Sequence, residues 1–382
     1  MRSRKLTGVM WTSLLLGCSS TGETATDSST SDAATVDPTS AATLPTTPTT
    51  PTTPSTTPTT TPTTPVVTAN IRQCTPSPVM PITSPQMSAD GDGNRTIGQA
   101  GYPTAPEFKV NPSVPHGVVK LFTMNSADSK IYPGVKGPYT RNVWVYIPVG
   151  YVPGTPSPFI VVQDGVGFAD DIPNLLDSLI PGKCVPKMIG IMIDNGGGDG
   201  PGSQRGREYD TVSDAYARFL ETEVFPRVEQ EANVVLTTDG EGGAALGGSS
   251  GGSGSFGLAW FRPERFRRVI TYSGSFVNLQ VPRSSLTPYG AWEYHATLIP
   301  KNDPKPMRVW LESADGDTNA TNSRTPQTNW QAANQHMYEA LAVKGVHVQH
   351  NFAPGAGHND PAVLGATLVD ALIWAWRGYP ID

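Results

Sequence analysis

The sequence predicts an α/β fold: a mostly parallel central sheet with helices on both faces, set behind a Pro/Thr-rich stalk. Three observations lead there. Past residue 70, short β-branched and aromatic runs alternate with longer segments of helical spacing, the pattern of a parallel sheet with crossover helices. Composition breaks sharply at that point. One apolar run also ends in a glycine-crowded serine pair, Leu246-Gly-Gly-Ser-Ser-Gly-Gly-Ser253, that opens a helix.

The chain begins with Arg2, Arg4 and Lys5, followed by an apolar stretch to Gly17. Residues 1–18 read as a signal peptide whose core is too short to span a bilayer. Its end, Leu15-Leu-Gly-Cys18, resembles a bacterial lipobox. That resemblance implies cleavage before Cys18, lipidation of the cysteine and, with Ser19 behind it, sorting to the outer membrane. A plain secretory signal with an incidental cysteine is the alternative. The expectation is an exported bacterial protein, at the outer membrane, cell surface or periplasm, that touches a membrane only through lipid on Cys18.

Residues 19–69 are rich in Ser, Thr, Asp and Ala and pass into a Pro-Thr-Thr array without aromatic residues. Such a segment cannot bury enough apolar surface to offset chain entropy, so it is expected to be a disordered, semi-extended linker. The folded mass is then one domain, 70–382. A net charge of −6 with no dense Lys/Arg run excludes nucleic acid as a partner. Among three cysteines, Cys74 and Cys184 remain beyond the lipobox and form a candidate disulfide in an exported protein. Asp90-Gly-Asp-Gly-Asn94 lacks the later glycine and glutamate of a calcium loop and reads as a solvated turn.

Within the domain, strands are expected at 142–147, 159–162, 188–193, 244–246, 268–272, 307–311 and 346–352. Helical spacing covers 172–179, 212–232, the segment from the serine turn to 261, 329–343 and 362–376. In a parallel sheet, ligands gather at the carboxyl ends of the strands. Three loops therefore meet in space: the Ser249/Ser250 turn, Glu312-Ser-Ala-Asp-Gly-Asp317, and Ala353-Pro-Gly-Ala-Gly-His358.

A serine hydroxyl attacks an acyl carbon when a base reaches it and backbone amides hold the oxyanion, which requires a sharp strand-to-helix turn with small neighbours. Ser250 has Gly248 and Gly252 two residues away, and Ser249 has Gly247 and Gly251, so both registers satisfy the pattern. Of six histidines, His358 alone follows a strand end in a Gly-rich loop. Glu312, Asp315 and Asp317 are each placed to orient its imidazole. Ser, Asp and His in that chain order, each just past a strand, are the α/β-hydrolase order.

Several motifs together resemble the putative-esterase family of ferric enterobactin esterases, feruloyl esterases and mycolyltransferases, nearest to its exported bacterial esterase-like branch. They are Ser129-Lys-Ile-Tyr-Pro133, Gln163-Asp-Gly165, Arg205-Gly-Arg-Glu-Tyr-Asp210, Gly247-Gly-Ser-Ser-Gly-Gly252, Arg262-Pro-Glu-Arg-Phe266, Gly274-Ser-Phe276, Asn329-Trp330 and Gly357-His358. Counting back from Pro263, the resemblance selects Ser250 as nucleophile, with His358 as base and Asp317 as acid. It implies oxyanion donors at the amides of Val166 and Gly251. It places Arg205, Glu208 and Tyr209 near the rim as candidate substrate contacts, with an Arg/Glu pair stiffening the loop as the competing role. The expected activity is Ser-His-Asp hydrolysis of a carboxylic ester of carbohydrate, hydroxycinnamate or siderophore type, with no metal or organic cofactor. Acyl transfer or lactone opening on the same fold, and a non-catalytic carbohydrate-binding scaffold, are the alternatives.

Overall fold

The computed structural model describes residues 71–82, 92–98 and 101–381, all within the unit Pro65–Asp382. Residues 1–18, read as a signal peptide ending at Cys18, and the expected linker 19–69 lie outside the described residues.

Nine strands form the main sheet: β1 (Gly93–Thr96), β2 (Val118–Asn125), β3 (Thr140–Ile147), β4 (Phe159–Gln163), β5 (Ile189–Ile193), β6 (Gly243–Gly248), β7 (Arg268–Tyr272), β8 (Arg308–Gly316) and β9 (His347–Gly357). They lie in the order β1-β9-β8-β7-β6-β4-β5-β3-β2. All neighbours are parallel except at β3, which runs antiparallel to both β5 and β2. The helices are α1 (Asp171–Leu179), α2 (Gln204–Tyr209), α3 (Ala215–Phe219), α4 (Phe225–Ala232), α5 (Ser250–Phe261), α6 (Trp330–Val343) and α7 (Pro361–Ala375).

The central strands are continuous apolar runs because both faces are covered. Successive side chains point to opposite sides. Phe159 and Val161 join one core with α3 to α6, whereas Ile160 and Val162 join the other with α1 and α7. Each fully buried Val, Leu, Ile or Phe contributes about 1.5–3 kcal/mol, so this double burial is what holds the strand ends in place.

Three elements differ from the sequence reading. Strand β2 was not expected, because as an edge strand it leaves Val118, Val119 and Leu121 exposed and turns inward only at Phe122 and Met124. The supposed solvated turn before residue 95 instead enters β1, and Asp92 pairs with the buried His347 at 2.8 Å. The long helix at 212–232 divides into α3 and α4 around a π turn, Leu220–Val224. Pro226 has no amide hydrogen to continue the ladder, which accounts for the break.

Two features aim the functional loops. Strands β8 and β9 overrun their neighbours and stay paired to Gly316↔Gly357 after a bulge, so Asp317 and His358 leave the sheet side by side. A Cβ on Gly316 would lie 2.5 Å from the Ala356 carbonyl oxygen, so only glycine permits that approach.

Cys74 and Cys184 form a disulfide that closes a separation of 110 residues and ties the first described segment to the turn after α1. Chain-entropy arguments assign such a loop roughly 4–5 kcal/mol. Guanidinium unfolding of the Cys74→Ser/Cys184→Ser variant is expected to show a loss of that order; an unchanged midpoint would refute the assignment.

Candidate active site

The β6–α5 turn decides the register of the serine pair. Ser249 is the turn residue, at φ 54° and ψ −126°, while Ser250 is already the first residue of α5. A Cβ on Gly247 would sit 2.3 Å from the Gly251 carbonyl oxygen, so the two glycines flanking Ser249 face each other across the turn. The Ser249 amide donates to Tyr272 O at 2.9 Å, and its carbonyl accepts from Gly252 at 2.9 Å and from Ser275 at 2.9 Å. That geometry exposes the Ser249 hydroxyl toward the loops after β8 and β9.

His358 Nε2 lies 2.9 Å from Ser249 Oγ, and its Nδ1 lies 2.6 Å from Asp317 Oδ1. The Asp317 side chain is fully buried, while that of His358 keeps 27% of its surface exposed. Thr318 N–H donates to the same Asp317 oxygen at 2.7 Å. Trp330 meets the imidazole edge-on with ring centroids 5.8 Å apart, and its indole N–H donates to Ser275 Oγ, itself 3.2 Å from Ser249 Oγ. Asp315 turns away and accepts from Gly355 N at 2.7 Å.

The selection of Ser250 is corrected by this geometry. Its hydroxyl is buried and donates to Asp210 Oδ2 at 3.1 Å, on the side of α5 away from His358. With Ser249 at the turn, the following amide is that of Ser250, and Gly251 shifts to the second position of the helix. Neither amide has an acceptor within the helix, because the first turn of any helix lacks one. Val166 is corrected as well, since its amide already donates to Asp194 Oδ1 at 2.9 Å.

The three rim residues are held by the protein itself. Arg205 pairs with Asp164 at 2.8 Å and with the exposed Asp199 at 3.1 Å, so its guanidinium is already engaged by carboxylates of the protein. Glu208 is completely buried, receives Arg141 at 2.7 Å and 3.0 Å, and accepts from Tyr139 and Gln204. Tyr209 is buried against Gly254 and Tyr216. As substrate contacts, Glu208 and Tyr209 are corrected: Glu208 accepts the Gly196 amide at the start of the loop 195–203, and the Tyr209 hydroxyl accepts the Asp164 amide after β4.

The sequence reading did not identify Asp210 or Trp330 as parts of this site. Asn329-Trp330 was visible as a motif, but only three-dimensional packing brings the indole to Ser275. Burial raises the Asp210 carboxyl to about 7, against opposing hydrogen bonds from Ser250 and Ser253 and the charge of Arg205. A folded-state value above the unfolded one means that Asp210 favours folding below pH ~4 and that this contribution is lost as pH rises through about 7. Asp210→Asn is therefore expected to gain stability relative to wild type at about pH 8 and to lose the slope between about pH 4 and 7. Urea unfolding at several pH values reads this; a difference between the two proteins that does not vary with pH would refute it.

The fold has known relatives. A family model described as putative esterase matches residues 138–375. The enterobactin esterase of Shigella flexneri, crystallised with enterobactin, superposes with a TM-score of 0.52 at 21% identity over 73% of this chain. This chain spans 62% of that protein's length. A ferulic acid esterase of the anaerobic fungus Anaeromyces mucronatus superposes with a TM-score of 0.52 at 16% identity, over 74% of this chain and 100% of that one. No curated protein matches the sequence. The family match covers well over half of the chain, and the chain belongs to this esterase family.

Proposed function

We propose that the protein is an exported serine carboxylic-ester hydrolase in which Ser249 is the nucleophile, His358 the general base and Asp317 the orienting acid. The observation that carries this reading is the unbroken line of hydrogen bonds from Ser249 Oγ through both imidazole nitrogens to Asp317. Nδ1–H donates to Asp317, so Nε2 carries the lone pair that faces the hydroxyl. Ser249 Oγ attacks the acyl carbon as its proton passes to Nε2. The carbonyl oxygen becomes an oxyanion beside the N-terminus of α5, where the Ser250 amide and the helix dipole stabilise negative charge.

Collapse of the tetrahedral adduct breaks the ester C–O bond, and Nε2 returns the proton to the departing alkoxide. Water, deprotonated by the same nitrogen, then attacks the acyl-enzyme and releases the acid and free Ser249. His358 is exposed enough to meet both the leaving group and water.

For the substrate, esters of hydroxycinnamates, siderophores or carbohydrates fit best. The named neighbours act on enterobactin and ferulic acid esters, and Val166, 69% exposed, offers an apolar contact on the loop after β4. Arg205, being paired, is not assigned to a substrate carboxylate. Export rests on the basic start, the short apolar core and the lipobox-like end at Cys18.

Ser249→Ala is expected to lower hydrolysis of p-nitrophenyl acetate by about 10³-fold or more. Ser250→Ala, which keeps its backbone amide, should cost less than about tenfold. A fluorophosphonate probe should label the peptide carrying Ser249; labelling on Ser250, or the reverse order of activities, would sink the register, and no labelling would favour a binding scaffold. Hydrolysis of feruloyl, acetyl-sugar and siderophore esters by residues 70–382 would rank the substrates. Cys18→Ala should release the full chain from the membrane fraction; retention there would refute the lipid anchor.

A further inference from the structure

Glu312 lies in β8 directly behind this site, 1% exposed, with no cation among the groups that act on it. The charged and titratable groups that act on it or on which it acts are Asp317, Asp360, Tyr102 and Tyr272, with His358 on the far side of Asp317. Its Oε2 accepts the Ser273 amide at 3.2 Å, and Ser273 Oγ in turn accepts the amide of Asn359, the residue after the base. An ionised carboxylate cannot be left there, because burial without a counter-charge costs far more than taking up a proton. Burial and the Asp317 charge hold the Glu312 carboxyl well above the usual carboxylate range.

The hydrogen-bond inventory points the same way. Glu312 Oε1, Asp317 Oδ2 and Asn359 Oδ1 are all buried oxygens without a partner among the described residues. As acceptors they would each lose hydration with nothing in return. A proton on Glu312 Oε1 converts one of them into a donor. Asp317 is the leading electrostatic neighbour of Glu312, and a carboxylate is the stronger acceptor of the two candidates.

We propose that Glu312 is a positioning residue of the hydrolytic centre: as a carboxylic acid it donates from Oε1 to Asp317 Oδ2 and holds Asp317 with Oδ1 turned to His358. The chain of bonds then runs Ser249, His358, Asp317, Glu312, and the last member also fixes Ser273 and, through it, the backbone beside His358. The inference rests on the role proposed above for Asp317. The infrared test below needs no substrate, so its failure is distinct from failure of the esterase reading.

The infrared spectrum near neutral pH should contain a protonated-carboxyl band that is absent from Glu312→Gln. In Asp317→Asn that band should move or vanish. No wild-type band, or a band that Asp317→Asn leaves in place, would overturn the proposal; the latter would direct the proton to Asn359. Kinetics supply the second reading. Glu312→Leu should lower kcat about tenfold or more with KM little changed, whereas Glu312→Gln, which still donates, should recover most of the turnover. The acid limb of kcat/KM should not move in Glu312→Gln, since one neutral group replaces another; a shift to lower pH would show that an ionised carboxylate had been removed and would overturn the proposal. If Glu312→Leu fails to fold, the infrared pair and the Glu312→Gln profile still decide.

Discussion

The site depends on one backbone conformation, that of Ser249. A non-glycine residue at φ 54° and ψ −126° stores strain on the order of 1–3 kcal/mol and persists only when its surroundings over-determine it. Here they do. Gly247 and Gly251 close on each other across the turn, the Ser249 amide is tied to β7, and its carbonyl is shared by α5 and the segment after β7. Ser273 and Asn359 adopt positive φ as well, at 44° and 49°, and are joined to each other by the Asn359 amide and the Ser273 hydroxyl. The ends of β6, β7 and β9 thus hold one another in conformations that none would adopt alone. The Ser249 hydroxyl and the His358 imidazole are presented as parts of a single braced assembly.

Much of this was legible in the sequence, for reasons that also explain the failures. Strands buried on both faces are continuous apolar runs, so β4, β5 and β7 stood out, whereas the edge strand β2 carries no such signal. Asp317 and His358 could be found because chain order and strand ends define where they emerge. Their approach is a matter of register, set by Gly316↔Gly357, which spacing alone does not reveal. The serine register was lost for a geometric reason. Counting back from Pro263 measures helix α5, and α5 begins at Ser250, one residue beyond the turn that carries the exposed hydroxyl. The turn conformation of Ser249 and its contact with His358 separate two patterns that are identical on paper. For Glu208 and Tyr209 the substrate-contact reading failed while a structural role had been the alternative, and a charged motif near a rim does not disclose that the partners, Arg141 and Tyr216, lie inside.

The electrostatic arrangement follows from what the reaction must tolerate. An oxyanion forming next to α5 is destabilised by any ionised carboxylate nearby, because charges interact strongly where water is excluded. Asp164, Asp194, Asp210 and Glu312 all border this region or support its walls, whereas Asp317 is bonded to the His358 imidazole. Each of the others is handled separately. Asp164 is matched by Arg205 and by Asn195 at 2.6 Å. Asp194 is held by the Val166 amide and by Asn142. Asp210, on which burial outweighs the charge of Arg205, and Glu312, on which no cation acts, are moved by burial toward the neutral acid. Arginine, amide donors and protons thus do the same work at different depths. A guanidinium serves where one packs against the carboxylate, as for Asp164 and the buried Glu208, and elsewhere a proton is the smallest counter-charge available. The same reasoning explains why Arg205 is committed to the fold: releasing it would uncover Asp164 beside the start of α5.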